Sequence, residues 1–489
     1  MEGGCKAQSG MDKELDIIII GGGVVGTAIA RELSRYKLDV LLIEKESDVG
    51  WGTTKSNSAV VHTGYDPKPG TLMAKLNAKG ARLFPSICSE LDVPYKKPGS
   101  MVLTPDEDGF KELEELKNRG KINGVTNLEI ISQDELFALE PNISRDIKGA
   151  LFVKDTAITS PVELAIALRE NAEQNGVRFL FDTEVTGFEM ENRRIISVKT
   201  SRGNLRSRWI INAAGIFSDE IARLAGDDSF TITPVKGEYA LFDKEVGNMV
   251  NHIIFPLPTE TTKGILVLPT VDGNLLVGPN EHITTKDDTT VTEEGLNEVL
   301  SFGKKEFPNL PLNMIITIFA GLRAKDLNRK DFIIESSPAV ENLINVGGIQ
   351  SPGLSSAPSI SIYVTEILRD RGLDLIPDPG FTPERNGITR FSNLSWDERA
   401  ELIAKDQNYG EIICRCEYVT VGEIIDAIRR GATTLDGIKF RTRAGSGRCQ
   451  GGFCGPRLIR LISQLLEIPP QEVTKKGDGS NMVIGETRQ

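Results

Sequence analysis

The sequence IIIIGGGVVGTAIARELSRYKLDVLLIE, residues 17–44, decides the fold of this chain. It begins with four consecutive isoleucines and ends with a second apolar run, 40–43, that leads into Glu44. A helix is predicted over 27–35, between the two apolar runs. Three glycines precede that helix at GxGxxG spacing: Gly21, Gly23 and Gly26. The order of strand, tight turn, helix, strand and acidic residue is typical of a dinucleotide-binding unit.

The residue types of this unit suit the chemistry of a dinucleotide. The glycines allow the backbone to turn sharply and to approach a pyrophosphate, which lies at the helix N-terminus, where unpaired N–H groups favour negative charge. Glu44 can bind both hydroxyls of a ribose, and its charge would repel a 2′-phosphate. The stretch therefore favours FAD or NAD over NADP and leaves the choice between those two open.

Length and charge exclude several classes of protein. The 489 residues predict roughly two to four domains. The formal net charge of −12 argues against general nucleic-acid binding. No apolar run reaches the ~18 to 20 residues that span a membrane, and the start of the chain lacks the apolar centre of a signal peptide. We therefore expect a cytoplasmic protein, with membrane association through partners left open, and a disordered leader at residues 1–13.

Downstream of the dinucleotide unit, the chain alternates between loops and sheet-forming segments. A polar loop rich in Gly, Ser and Thr, 47–70, is too long for a simple connector, and we interpret it as contacting the cofactor. The strand WIINAAG, 209–215, ends in small residues that allow close approach of the backbone. Short alternating strands between 231 and 278 predict an antiparallel sheet. Buried strands return at 315–322 and 332–348 and are predicted to complete the dinucleotide fold.

The combined motifs resemble the D-amino-acid-oxidase-type FAD oxidoreductases. The resemblance rests on GxGxxG with Glu44, SNSAVVHTGYD in the long loop, WIINAAG, FAGLRAK at 319–325 and GGIQSPGLSSAPS. It covers about residues 16–371. Within the family, the chain is most similar to the soluble glycerol-3-phosphate dehydrogenase/oxidase group and its 2-hydroxyglutarate-oxidising relatives. The resemblance implies FAD, with the flavin between the dinucleotide domain and an antiparallel substrate sheet.

The resemblance also implies which residues contact FAD. They lie in the motif glycines, the long loop, the WIINAAG turn and the GGIQSPG segment: Gly21, Gly23, Gly26, Glu44, Lys45, Thr53, Thr54, Ser58, Val185, Ala214, Gly215, Gly348, Ser351, Gly353 and Leu354.

Three residues are candidates for the chemistry. The resemblance places His62 beside the flavin ring, where an imidazole is a natural base near pH 7; a histidine that merely bonds to backbone or flavin is the alternative. Arg323 occupies the position of the family's substrate-gripping arginine, and its planar fork suits a carboxylate or a phosphate. Lys263 is a second candidate for holding the anion, with a solvated turn lysine as the alternative. Tyr65 and Ser351 are further candidates for lining the pocket.

Four of the six cysteines form a separate module near the C-terminal end. They are arranged as C-x-C and, 32 residues later, C-x4-C: Cys414, Cys416, Cys449 and Cys454. A capping box at Thr420–Glu423 predicts one short helix, and a second begins near Pro456. A domain this small needs a metal centre for stability. Zinc is one interpretation. We favour a 2Fe-2S cluster because the spacing resembles the bacterioferritin-associated-ferredoxin-like (BFD-like) domain.

The cysteine module reverses the charge of the chain locally. Eight basic residues and one acid, Asp436, lie between Arg429 and Arg460. Such a reversal favours a raised cluster potential or the docking of an acidic redox partner, with solvated charge on small helices as the alternative.

The predicted fold class is α/β (α+β overall). It combines a Rossmann-like FAD-binding domain, an inserted antiparallel-sheet substrate domain and a small C-terminal helical cysteine-cluster domain. The FAD-binding domain is predicted in three segments, 14–99, 155–230 and 315–373, and the substrate domain in two, 100–154 and 231–314. The other predicted boundaries are 1–13 for the leader, 374–408 for a linker, 409–470 for the 2Fe-2S domain and 471–489 for a tail.

The resemblance implies an FAD-dependent dehydrogenase that oxidises glycerol 3-phosphate to dihydroxyacetone phosphate and passes electrons through the 2Fe-2S centre to a partner or quinone pathway. Lys263 and Arg323 together favour a phosphate. The neutral Ser56-Asn57-Ser58, which replaces the basic loop of membrane-bound glycerol-3-phosphate enzymes, favours an L-2-hydroxyacid or imino/amino-acid dehydrogenase instead. A non-catalytic electron-transfer subunit is the second alternative. The expected partners are a small anionic substrate and redox proteins docking near the cysteine domain, with a hetero-oligomer as one arrangement.

Overall fold

The computed structural model of the chain describes residues 14–258 and 264–485. The predicted leader, Lys263 and the last four residues of the predicted tail lie outside these described residues. The chain divides into two compact units. One comprises the described residues up to Lys45 together with Val49–Arg385, and the other comprises Glu46–Asp48 and the described residues from Asn386 onward. The main boundary, after Arg385, falls within the segment that the sequence predicts as a linker.

The first unit mixes helices and strands along its whole length. Its helices are α1 (Val24–Leu33), α2 (Leu72–Glu90), α3 (Gly109–Ile122), α4 (Gln133–Leu139), α5 (Pro161–Gln174), α6 (Ser218–Leu224), α7 (Glu293–Glu306) and α8 (Gly353–Asp370). Its strands are β1 (Leu15–Ile20), β2 (Val40–Ile43), β3 (Val60–Val61), β4 (Tyr95–Lys96), β5 (Ser100–Thr104), β6 (Leu128–Ser132), β7 (Gly149–Val153), β8 (Ala157–Thr159), β9 (Arg178–Leu180), β10 (Val185–Glu191), β11 (Arg194–Thr200), β12 (Gly203–Leu205), β13 (Ser207–Asn212), β14 (Thr233–Phe242), β15 (Ile253–Phe255), β16 (Val267–Pro269), β17 (Leu275–Val277), β18 (His282–Ile283), β19 (Ile315–Lys325), β20 (Ile333–Ser336) and β21 (Leu343–Gly347).

A six-stranded sheet in the order β20-β21-β13-β1-β2-β9 forms the dinucleotide-binding region. All neighbours are parallel except β20 and β21. The continuous isoleucine run of β1 is fully buried, as expected for a parallel strand that is covered on both faces. Helix α1 begins at Val24, earlier than predicted, because the extended Gly23 is its N-cap and Gly26 lies within its first turn. The Rossmann-like fold class is confirmed.

A larger, nine-stranded sheet packs around its own core of aliphatic and aromatic side chains. Its main path is β18-β14-β17-β16-β15-β5-β7-β6, and β19 pairs with β14. The pairs are antiparallel except for β15 with β5. The sequence places β19 in the third segment of the FAD-binding domain. In the structure β19 pairs with β14, and the paired residues run from Thr233 opposite Lys325 to Phe242 opposite Ile315. Burial alone does not reveal which sheet a strand joins. The detailed domain boundaries stay a prediction.

Two small antiparallel sheets complete the first unit, in the orders β3-β8-β4 and β10-β11-β12. The sheet with β3 holds the segment just before His62. Helices α1, α2, α5 and α8 pack together, with residues of α1, α2 and α8 in the same buried core as the six-stranded sheet.

The second unit is small and mainly helical. It contains β22 (Ile412–Cys414) and β23 (Val419–Thr420), which pair antiparallel, and α9 (Trp396–Lys405), α10 (Val421–Arg429), α11 (Leu435–Thr442) and α12 (Gly455–Leu466). The capping box at Thr420 and Glu423 is present, as predicted. Cys414 and Cys454 lie in its apolar core. Within the described ranges of the chain, every helix is too short or too polar to cross a membrane.

Candidate active site and cysteine centre

The carboxyl ends of four adjacent parallel strands meet at one edge of the six-stranded sheet. Gly21 follows β1, Glu44 follows β2, Gly215 follows β13 and Gly348 follows β21. Ligands of open parallel sheets bind outside this edge. The predicted cofactor residues that are far apart in sequence are therefore brought together by the strand order.

The glycines at this edge create room for a ligand that approaches the backbone. A Cβ on Gly26 would lie 1.9 Å from the carbonyl oxygen of Gly21, so α1 can pack this closely against β1 only without a side chain there. Gly21, Gly215 and Gly348 have positive φ angles of 107°, 57° and 64°, which glycine adopts without strain. Space beside Gly215 is open. These features fit a dinucleotide pyrophosphate at the N-terminus of α1.

Two side chains bind backbone groups of the glycine turn. Glu44 Oε2 accepts a hydrogen bond of 2.6 Å from Gly22 N, which fixes the carboxylate at the edge of the sheet. The buried Thr54 Oγ1 accepts one of 3.0 Å from Val24 N in the first turn of α1. The Thr54 contact shows that the long loop returns to the dinucleotide motif, whereas contact of the loop with the cofactor stays a prediction.

A buried asparagine pair, which the sequence did not predict, joins two of the strand ends. Asn212 Nδ2 donates to Asn345 Oδ1 at 3.0 Å, and both side chains are fully buried. Asn345 in turn donates to Asp227 at 2.8 Å. The pair links the turns that carry Gly215 and Gly348. Its only signal in the sequence is an asparagine directly after the apolar run 209–211 and another within the apolar strand Leu343–Gly347.

The long loop also lies against β19, the strand that carries Arg323. Thr53 Oγ1 donates to the carbonyl of Leu322 at 2.7 Å. A Cβ on Gly321 would lie 2.0 Å from the carbonyl oxygen of Ser56, so the loop backbone touches this strand directly. The cofactor loop and the arginine thus belong to one region.

Tyr239 of β14 is a second residue that the sequence did not predict. Its buried ring stacks on Phe319 with centroids 4.7 Å apart. Burial raises the pKa of Tyr239, while hydrogen bonds with Ser58 and Arg323 oppose that shift. The tyrosine therefore connects the cofactor loop to the arginine, and only the pairing of β14 with β19 reveals it.

His62 is held by its backbone and its ring together. Its amide N–H donates to Ser355 Oγ at 3.1 Å, and its carbonyl accepts from Asn77 Nδ2 at 2.7 Å. On the ring, Nε2 lies 3.4 Å from Ser351 Oγ. The ring centroid is 5.8 Å from that of Phe255 on β15. The half-buried imidazole therefore lies between the start of α8 and the nine-stranded sheet.

Arg323 belongs to a small charged group at the end of β19. Its Nη1 is 2.8 Å from Glu281, whose other oxygen is 2.9 Å from Lys325 Nζ. Two cations thus share one carboxylate, and the group keeps one net positive charge. The Arg323 side chain is 16% exposed, so an anion that reaches it meets a partly desolvated guanidinium.

Other candidates lie elsewhere or outside the described residues. Lys263 lies outside them. Tyr65 is 4% exposed and belongs to the core of the nine-stranded sheet, where burial raises its pKa. Val185 is buried at the start of β10. Lys45 lies 4.0 Å from the ring centroid of Phe217, near the end of β2.

The four cysteines of the second unit form two pairs that differ in burial. Cys414 and Cys454 are 2% and 1% exposed, whereas Cys416 and Cys449 are exposed, with their sulfurs 4.0 Å apart. A hydrogen bond from Cys454 lowers the pKa of Cys414 to about 6 and raises that of Cys454.

The two interpretations of the module use the same four thiols. A 2Fe-2S cluster needs two thiolates at each iron, and Cys414, Cys416, Cys449 and Cys454 are the residues that would hold it.

Comparisons with known proteins match both units of the chain. The FAD dependent oxidoreductase (DAO) family matches residues 16–367, and the BFD-like [2Fe-2S] binding domain matches residues 412–464. A glycerol 3-phosphate dehydrogenase of Caloramator mitchellensis is 48% identical over 97% of this chain and 99% of its own length. A glycerol 3-phosphate oxidase of Mycoplasma genitalium is 34% identical over 72% of this chain and 94% of its own length.

A solved structure shares the fold of the first unit. The dithionite-reduced L-α-glycerophosphate oxidase of Mycoplasma pneumoniae, with FAD bound, superposes with a TM-score of 0.73 and 32% sequence identity. The match covers 78% of this chain and 100% of that one. The predicted cofactors, FAD and a 2Fe-2S cluster, are confirmed. The chain belongs to the FAD-dependent oxidoreductases of the DAO family and carries a BFD-like 2Fe-2S domain after its oxidoreductase domain.

Proposed function

We propose that the protein oxidises glycerol 3-phosphate to dihydroxyacetone phosphate and releases the electrons through the cysteine centre to a redox partner or a quinone pathway. The observation that carries this proposal is that the loop with His62 also contacts the strand of Arg323, through Thr53 on Leu322 and through Tyr239, which bonds both Ser58 and Arg323. The names and the coverage of the relatives support the substrate.

His62 is the proposed base for the hydroxyl proton of the substrate. Ser355 and Asn77 hold both of its peptide groups, so the backbone that carries the ring is fixed before substrate binds. Ser351 lies at Nε2, where it can orient the substrate hydroxyl or the ring. FAD, when bound, supplies the hydride acceptor. A positioned base contributes typically 10²- to 10⁴-fold to such a reaction.

Arg323 and Lys263 are the proposed grip on the anionic end of the substrate. The net charge of the Arg323–Glu281–Lys325 group attracts an anion, and the guanidinium can form two parallel hydrogen bonds with it. Lys263 adds a second cation, which a phosphate needs more than a carboxylate does.

The second unit supports a dehydrogenase rather than an oxidase. The oxidase relative matches 94% of its own length but only 72% of this chain, so its length leaves no room for a comparable cysteine unit. The relative named a dehydrogenase matches 97% of this chain, cysteine unit included. An electron carrier is useful where the electrons pass to a partner and superfluous where oxygen takes them directly from the flavin.

An anaerobic substrate screen tests the proposal. Glycerol 3-phosphate is expected to bleach the oxidised flavin and to reduce an artificial dye, with little peroxide formed in air. His62→Ala is expected to slow bleaching at least about 100-fold. His282→Ala is the matched control, because that histidine is exposed and bonds Glu298. Rapid stoichiometric peroxide formation would contradict a dehydrogenase, and a flavin that no alcohol or amine bleaches would indicate a non-catalytic electron-transfer subunit.

An L-2-hydroxyacid or imino/amino-acid dehydrogenase is the second candidate function. It is favoured by the neutral Ser56-Asn57-Ser58 segment and by the single net charge of the Arg323 group, which matches one carboxylate. Arg323→Ala should impair both classes of substrate, whereas Lys263→Ala should impair the phosphate most. Faster bleaching by a 2-hydroxyacid than by glycerol 3-phosphate would favour this alternative.

A further inference from the structure

The exposed cysteine pair lies in a surface that combines positive charge with an exposed aromatic ring. We define the docking face as Arg415, Cys416, Arg448, Cys449 and Phe453, all of which are exposed. Phe453 is 58% exposed, and the guanidinium of Arg415 stacks 5.0 Å from its ring centroid. Exposed arginine and aromatic side chains around a small patch are typical of protein interfaces.

Among the described residues, the chain segments that carry the docking face place no exposed acid beside it. The segment 443–460 contains no Asp or Glu. Glu417, the residue after Cys416, is 3% exposed in its side chain and pairs with Arg443 at 2.9 Å. Within the described residues, Arg415 has no carboxylate partner, and its contact is the ring of Phe453. The face is therefore positive in a chain whose net charge is −12.

The two cysteine pairs make this the accessible side of the centre. Cys414 and Cys454 are enclosed in the apolar core of the unit, so a partner can approach only the side of Cys416 and Cys449. An acidic partner would be repelled by most of an acidic chain and attracted here. Such a charge contrast orients a partner during its approach and raises its association rate.

We infer that the docking face receives an acidic, one-electron redox protein and that Arg415 and Phe453 form its contact centre. This inference rests on the proposed function for the source of the electrons. Oxidation of one alcohol to a ketone releases two electrons and two protons, so two molecules of the acceptor are reduced for each substrate molecule oxidised. The acceptor is defined by its acidic surface and its one-electron chemistry.

Two haem proteins of opposite charge test the docking face on the holoenzyme. With glycerol 3-phosphate as donor, acidic cytochrome b5 is expected to be reduced at a rate that falls as salt rises, because screening weakens the attraction. Basic cytochrome c is expected to be reduced more slowly than cytochrome b5 at low salt, and its rate of reduction is expected to increase as salt rises. Arg415→Glu should lower the low-salt rate with cytochrome b5 by about threefold to tenfold and should not lower the rate with cytochrome c.

Matched variants separate docking from damage to the centre. Arg429→Glu makes the same charge change in the last turn of α10, outside the docking face. It should retain most of the rate of cytochrome b5 reduction. Arg415→Lys should retain most of the rate. Phe453→Ala should slow cytochrome b5 at all salt concentrations, because it removes apolar contact rather than charge. The visible spectrum of the cluster is recorded for each variant, since Arg415 lies between two ligands.

Several outcomes would overturn the inference. If Arg415→Glu and Arg429→Glu lowered the rate of cytochrome b5 reduction equally, the effect would be general electrostatics and not docking at this face. If Arg415→Glu lowered the rates with both cytochromes equally, the variant would have damaged the centre. Reduction of a soluble quinone analogue but not of cytochrome b5 would assign the exit to a quinone. The same reactions started with protein that has been reduced with dithionite and then freed of excess dithionite need no organic substrate, so they test the face even if glycerol 3-phosphate is the wrong donor.

Discussion

Ser355→Ala tests whether the backbone of His62 must be held for the reaction to proceed. The hydroxyl of Ser355 is fully buried in the first turn of α8 and accepts the amide N–H of His62 at 3.1 Å. Removing it takes a hydrogen-bond acceptor from a partly buried N–H, which costs about 1 to 3 kcal/mol. The second hold, from Asn77 to the carbonyl of His62, remains.

The size of the change in the rate of flavin reduction depends on whether this free-energy cost affects the alignment of His62. If the loss is felt in the alignment of the base, each 1.4 kcal/mol slows the reaction about tenfold, so flavin reduction should fall by about 5- to 150-fold. The KM for substrate should stay within about threefold, because Arg323 is bound to Glu281 and not to α8. A fall in kcat with little change in KM is the signature of a misplaced base.

Ser359→Ala is the matched control for this variant. Ser359 lies one turn further along α8, is equally buried, and donates to the carbonyl of Leu76 on α2 at 2.5 Å. Its removal loses a buried hydrogen bond between α8 and α2, at about 0.5 to 1.5 kcal/mol, without touching His62. It should lower thermal stability and leave the rate per bound flavin nearly unchanged.

Anaerobic stopped-flow measurement of flavin bleaching, normalised to bound FAD, decides the question. Equal rate losses in Ser355→Ala and Ser359→Ala would refute the reasoning, because the effect would then come from helix packing. A raised KM at unchanged kcat in Ser355→Ala would also refute it, since it would place the serine in substrate binding.

Two further predictions concern the cofactors. Gly26→Ala places a Cβ 1.9 Å from the carbonyl of Gly21, so the purified variant should contain little FAD by absorbance. Gly410→Ala in the second unit, where the nearest atom to the added Cβ is an Ile403 methyl at 3.4 Å, should retain FAD. Cys416→Ser should lower the iron content well below about two per chain and weaken the visible spectrum of the cluster. Cys88→Ser should change neither, because Cys88 is buried in the first unit, where burial raises its pKa to about 12.

The local features of both sites could be predicted from sequence because their determinants are close together along the chain. The spacing of Gly21, Gly23 and Gly26 encodes a turn and a helix within ten residues, and the strand order then follows the usual dinucleotide pattern. The two cysteine motifs likewise define a centre by spacing. These features depend on backbone geometry that short sequence patterns describe well.

The contacts that organise the active site could not be predicted in this way. His62 and Ser355 are 293 residues apart, and Ser355 is one of several serines at the start of α8 that differ only in the direction they face. Tyr239 meets Arg323 because β14 and β19 pair in a register that no local pattern reveals. Long-range pairing decides which side chains meet, and a single sequence carries little information about it.

The charge of the Arg323 group links the fold to the choice of substrate. Arg323 and Lys325 share Glu281, so the group offers one net positive charge, enough for a carboxylate. A phosphate monoester carries about −1.5 to −2 at pH 7, because its second pKa is about 6, and therefore needs another cation. If Lys263 provides it, Lys263→Ala should raise the KM for glycerol 3-phosphate more at pH 7.5 than at pH 5.5, where the substrate is mainly a monoanion. A penalty independent of pH would mean that the lysine does not neutralise the second phosphate charge.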